Sequence, residues 1–171
     1  MGQRVAAGPL SGAILGALLA AATAAAAECR EDRVTVLGGF GRAAFTVEVA
    51  DDAPSRAQGL MHVESLGPYE GMLFVYDAPQ SVAFWMENTL IPLDMIFAGA
   101  DGTVTRIHEN AIPLDRTPIP GGEDVQFVLE VNGGTAARLG IAPGDVLQHP
   151  AIGGEGAAAP CPPGADQPAS R

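Results

Sequence analysis

The chain has 171 residues, 9 basic and 20 acidic side chains, a formal net charge of −11, and no Lys among its cations. Its long-range field repels nucleic acid, anionic lipid and polyanionic substrates, and the lack of Lys excludes Schiff-base chemistry and the Lys-dependent phosphate loop. The length suits one domain with a real core and is too short for two ordinary ones.

At the N-terminus, Arg4 is followed by no ionisable side chain until Glu28, and Leu10, Ile14, Leu15, Leu18 and Leu19 stand in an Ala-rich stretch. This pattern, ending in Ala25-Ala26-Ala27, predicts an export signal over residues 1–27 and a mature chain from Glu28, placed in the periplasm or outside the cell. Ala and Gly dominate the stretch, so no stable membrane insertion is expected after cleavage. The only cysteines, Cys29 and Cys161, lie at opposite ends of the mature chain. Outside the cytosol they are expected to pair.

Residues 28–150 read as the single domain. Ala43 to Val49 alternates, with Phe45, Val47 and Val49 on one face, which predicts a half-buried strand. Asp51-Asp52-Ala53-Pro54 followed by Ser55-Arg56-Ala57-Gln58 and Gly59 predicts a short capped helix. Apolar runs at Gly71–Tyr76, Ser81–Met86 and Pro92–Ala98 read as strands, the last two as an antiparallel pair around Glu87-Asn88-Thr89. Asp101-Gly102 turns the chain into a strand at Thr103–His108. A Pro-punctuated loop, Ile112–Gly122, precedes a strand at Val125–Val131. Asn132 to Gly140 reads as a second short helix, and Pro143-Gly144-Asp145 turns into Val146-Leu147. Residues 151–171 form a Pro/Gly/Ala-rich tail, too poor in apolar side chains to order unless Cys161 pins it. About seven short strands with two short helices predict a mainly β fold, a compact antiparallel sandwich or flattened barrel.

Arg56-Ala57-Gln58-Gly59-Leu60-Met61, Gly71-Met72-Leu73-Phe74, the run from Phe84-Trp85-Met86 to Phe97, Ile107-His108-Glu109-Asn110, and Leu129-Glu130-Val131-Asn132-Gly133-Gly134-Thr135-Ala136 with Gly144-Asp145 closely resemble the family called domain of unknown function 192. The resemblance implies a compact, mainly β single domain, often exported, and brings no activity with it. Glu87 departs from the family pattern, which usually has Lys there, so a role needing a cation at that position does not carry over.

Asp94 is the first candidate for chemistry. It lies in an apolar strand, where an unpaired charge costs several kcal/mol, so it either caps backbone N–H groups near Asn88-Thr89-Leu90, pairs with Arg, or lines a cleft. His108 with Asp94 would form the minimum acid/base pair. A mixed oxygen site from Asp94, Glu109 and Asn110 has no ligand-spacing motif behind it, so no metal and no cofactor is expected. Trp85 beside Asn88 and Thr89 is either core or a stacking platform for a sugar or aromatic ring. Arg56 is a candidate partner for the carboxylate of Asp94 or Glu130. Together these residues predict an exported domain that binds a small or extended ligand, a peptide or an envelope protein at a rim near Trp85 and Asp94. The alternatives are a hydrolase or lyase using Asp94 and His108, and a structural or chaperone-like envelope accessory.

Overall fold

In the computed structural model, residues 29–153 and 156–162 are described. The expected signal segment, the start at Glu28 and the end of the tail lie outside the described residues. Strands β1 (Arg33–Gly38) and β2 (Gly41–Ala50) form a hairpin. Helix α1 (Ala53–Gln58) then crosses to β3 (Glu70–Phe84), which pairs with β2 in parallel. Parallel neighbours require such a crossover, and this pair is the exception in a mainly β sheet whose other named strand pairs are antiparallel, as the sequence predicts. Strands β4 (Leu93–Ala98), β5 (Val104–Ala111) and β6 (Ile119–Asn132) follow, then helix α2 (Thr135–Leu139) and β7 (Val146–Gln148).

The seven strands make one curled sheet in the order β5-β4-β6-β3-β2-β1-β7, a half-barrel. Its two edges meet at one end, where the N–H of Val104 donates to the Asp145 carbonyl at 2.7 Å and that of Leu147 to the Gly102 carbonyl at 2.8 Å. Alternation along the strands divides the apolar side chains between two faces. One face gathers Val34, Val36, Phe45, Leu73, Ile96, Phe127, Leu129 and Leu147, with Ala136 of α2 and Ile152 packed on it. The other gathers Met72, Phe74, Met95, Phe97 and Val128 under Leu60 and Met86. β4 is buried along its whole length, which explains its near-continuous apolar run.

Two local features make the central pairing possible. α1 carries a reciprocal cap in which Asp52 accepts from the Ser55 N–H at 2.7 Å while the Ser55 hydroxyl accepts from the Asp52 N–H at 3.2 Å. At Gly71, β3 comes so close to β6 that a Cβ would press into the carbonyl oxygen of Glu130. That obstacle is backbone and no rotamer can yield, so Gly71→Ala is expected to lose about 1–3 kcal/mol in urea unfolding. A loss below the noise of such curves would show that the two strands can move apart freely.

The expected hairpin of Ser81–Met86 with Pro92–Ala98 does not form. β3 runs through Asp77-Ala78-Pro79 with register shifts and pairs with β6, and β4 lies between β5 and β6. At the termini, Cys29 and Cys161 are joined by a disulfide with Cα atoms 5.7 Å apart. Such a link acts chiefly by restricting the unfolded chain. Packing continues past residue 150: Ile152 is buried, and the Ala158 N–H donates to the Asp101 carbonyl at 2.8 Å.

Candidate functional site

Asp94 is completely buried, on the same face of β4 as Ile96. Its Oδ1 accepts from the N–H of Asn110 at 2.8 Å and of Gly134 at 2.9 Å, and its Oδ2 accepts from the N–H of Ala136 at 2.7 Å. Two of these donors open α2, whose N-cap residue Gly134 has φ 79 and no side chain to cap with. Asp94 therefore supplies the cap from a neighbouring strand. The third donor belongs to a bulge in β5, where Leu93 faces Ala111 but Met95 faces His108, and Asn110 takes up the extra residue at φ 52. The donors are thus Asn110, Gly134 and Ala136, in place of the Asn88–Leu90 connection or an Arg.

His108 stands across from Met95, the strand neighbour of Asp94, so the two side chains leave opposite faces of the sheet. The expected acid/base pair is not assembled, and Asp94 and Trp85 do not share a rim. The cause is the strand order: β3, which leads into Trp85, is separated from β4 by β6. Among the described residues no cluster of three or more His, Cys, Asp or Glu is placed to hold a metal.

Four of the other candidates converge elsewhere. Arg56, Trp85, Thr89 and Glu130 line one pocket of about 240 Å³, together with Leu60, Met61, Phe74, Tyr76 and Phe84. α1 and the turn after it form one wall, the end of β3 another, and β6 lies at the base. Trp85 is 53% exposed, so of its two expected placements the core indole does not hold. Thr89 is buried and its hydroxyl donates to the Glu87 carbonyl at 3.4 Å. Asn88 stays outside the lining: at φ 57 it turns the chain, and its carbonyl accepts from the His62 N–H at 2.9 Å.

Arg56 does not pair with Asp94 or Glu130. Its Nη1 donates to the carbonyls of Asp51 at 2.6 Å and Val75 at 2.8 Å, and its guanidinium lies 5.1 Å from the centre of the Tyr76 ring. Glu87, where the resemblance leads one to expect Lys, forms an ion pair with Arg116.

Glu130 is the unusual member. It is 4% exposed, no described residue hydrogen-bonds to its carboxyl, and burial pushes its pKa up to about 8. At neutral pH it is a neutral carboxylic acid, able to donate one hydrogen bond and accept another. The Tyr76 phenol is also held above its ordinary value, first by burial, with the Glu130 charge adding to the shift and Arg56 opposing it. Tyr76 and Phe84 were not singled out from the sequence. The apolar run Gly71–Tyr76 located the strand, but nothing in it showed that its far end borders a cavity.

A family model, DUF192, described as "Uncharacterized ACR", matches residues 35–149. Two solved structures are similar to this chain. One is a protein of unknown function from Novosphingobium aromaticivorans DSM 12444, at 50% identity and a TM-score of 0.66, the match covering 67% of this chain and 82% of that one. The other, from Sinorhizobium meliloti 1021 and described as a candidate transcription regulator, has 46% identity and a TM-score of 0.66, covering 67% of this chain and 90% of that one. No curated protein matches.

Proposed function

The chain belongs to the DUF192 family, and we propose that it is an exported binding domain that holds a small ligand, or one end of an extended one, in the pocket between Trp85 and Glu130. The observation that carries this reading is Glu130: a nearly buried side chain in the pocket lining whose carboxyl has no hydrogen-bond partner among the described residues. A buried polar group without a partner costs free energy in the empty protein, and a ligand that satisfies it recovers that cost. The surrounding aromatic side chains supply apolar contact, and Thr89 supplies a hydroxyl. The regulatory description attached to the Sinorhizobium protein does not carry over, since a net charge of −11 opposes contact with nucleic acid.

Trp85 is the chain's single Trp, which makes its fluorescence a direct reporter of the pocket. A panel of amines, sugars, hydroxy acids and short peptides is to be screened by thermal shift and by that fluorescence. A ligand of this pocket raises the melting temperature, changes the Trp85 signal, and binds at least about tenfold more weakly to Glu130→Gln. A ligand that stabilises the fold with both readouts at Trp85 and Glu130 unmoved argues for a site elsewhere.

A second reading, a contact face for an envelope protein, draws on the exposed apolar side chains Leu90, Ile112 and Leu114. Their two loops are held together by the Leu114 N–H donating to the Thr89 carbonyl at 3.1 Å. Replacing Ile112 and Leu114 by Ser separates the readings, because it abolishes partner capture and leaves small-ligand binding intact.

Export rests on the Ala25-Ala26-Ala27 pattern and on a disulfide of the kind that persists outside the cytosol. Intact mass of protein from the envelope fraction is expected to give a chain starting at Glu28. Recovery of a chain that retains Met1 would contradict it.

A further inference from the structure

Resting on the pocket reading, we propose that the ligand is a small organic ammonium ion, its charge held by the Glu130 carboxylate and its body lying against Tyr76, Phe84 and Trp85. Glu130 is the pocket's sole acidic side chain and has no counter-ion. Arg56, the cation in the lining, is committed to the carbonyls of Asp51 and Val75 and to the Tyr76 ring. Burial alone accounts for the shifted titration of Glu130, so the guanidinium does not act as its partner.

The groups that face Glu130 define its electrostatics. β3 presents Met72 in register and Tyr76 further along, β4 presents Met95, and β5 presents His108 beyond Met95 in the same cross-strand row. α1 contributes Arg56, and the segment after β3 contributes Trp85 and Thr89. Beyond Met72 in the same row β2 presents Glu48, the one anion among these groups, which is exposed to solvent; none of them bonds to the carboxyl.

Binding exchanges one cation for another. The carboxylic O–H of Glu130 breaks, its proton passes to solvent, and a carboxylate–ammonium pair forms with charge-assisted hydrogen bonds. In the empty site the retained proton avoids burying an unpaired charge. Aromatic faces favour a cation over a neutral isostere, and the chain's net charge of −11 attracts cations and repels anions. A ligand alcohol would gain only a neutral hydrogen bond from the same carboxyl, and a ligand carboxylate would enter against the field.

The probes are n-butylamine, n-butanol and butyrate, read by Trp85 fluorescence and by calorimetry in two buffers of different ionisation enthalpy. Butylamine is expected to saturate the signal with release of about one proton per ligand at pH 7, and to bind about tenfold more tightly at pH 9 than at pH 7. Glu130→Gln is expected to weaken it by at least about tenfold, without unfolding the protein, because Gln reproduces the shape of the protonated acid. Equal or better binding of butanol or butyrate overturns the ammonium proposal and leaves the pocket reading standing. Butylamine binding without proton release, or binding unchanged in Glu130→Gln, overturns it as well, as does the lack of any saturable butylamine response between pH 7 and 9. The pocket reading itself falls only if no compound of the wider panel acts through Trp85 and Glu130.

Discussion

Asp94→Asn is expected to destabilise the protein by about 3–5 kcal/mol, read as a lower urea midpoint with an unchanged slope. The side chain keeps its size. The loss arises because three backbone N–H groups, from Asn110, Gly134 and Ala136, converge on two carboxylate oxygens in a fully buried place. Asn offers one oxygen, so its amide must point donors at one or two of those N–H groups. A charge-assisted hydrogen bond contributes about 1.5–3 kcal/mol, and the groups left unsatisfied add their own desolvation cost. Because Asp94 and the pocket lie on opposite faces of the sheet, the folded fraction of this variant should bind ligand as the parent does. A variant that unfolds like the parent but has lost ligand binding would move Asp94 from the framework to the site.

Glu130→Gln is expected to act in the opposite direction and to depend on pH. The folded pKa is about 8 against an ordinary 4.5, so between these values the native state holds a proton that the unfolded chain has released. Stability from this group is therefore fully present below about pH 4.5 and is lost as pH rises through 8, on the order of 5 kcal/mol in all. Gln keeps the shape of the protonated acid and cannot ionise. Unfolding curves of parent and variant should nearly coincide at pH 4.5 and diverge toward pH 8, with the variant the more stable. Parallel curves across that range would mean that Glu130 is solvated or paired in the native protein.

His149 tilts the profile the other way at low pH. Its Nδ1 accepts from the Ala151 N–H at 3.0 Å, so Nε2 carries the proton and donates to the Glu31 carbonyl at 2.9 Å. Burial lowers its pKa below 6.5. The stability it contributes is present above pH 6.5 and is lost as pH falls through the lowered native value. In Glu130→Gln this rise with pH should stand exposed, with the opposing fall removed.

The β architecture is legible in local signals: alternation at Phe45, Val47 and Val49, the cap and stop around α1, and the turn at Asp101-Gly102. What depends on partners distant in the chain is not. The Asp77-Ala78-Pro79 breaker reads as the end of a strand, but β3 continues through it because β6 tolerates the register shifts. β1 went unread, since Val34-Thr35-Val36 is short and sits among charged and Gly residues that look like loop. A Val-x-Val pair before a Gly-Gly turn was the available signal.

At the site, the types of residue were legible and their grouping was not. Arg56, Trp85, Thr89 and Glu130 were picked out singly, and only the strand order brings them to one cavity while sending Asp94 and His108 to opposite faces. Glu130 illustrates the difficulty. Along Val125–Val131 it follows Gln126 on the alternate face, which in isolation reads as the solvated side of a strand. Around it in the pocket stand Leu60, Tyr76, Phe84 and Trp85, and no local pattern in β6 announces them.

The most direct test of this account is the titration of the Glu130 side-chain carboxyl carbon by ¹³C NMR in the ligand-free protein, assigned by its disappearance in Glu130→Gln. A buried, unpartnered acid at the base of the pocket predicts a midpoint near 8. A midpoint near the ordinary 4.5 would contradict it, because the carboxylate would then already have water or a partner to hold its charge, and the pocket would have no unmet group for a ligand to satisfy.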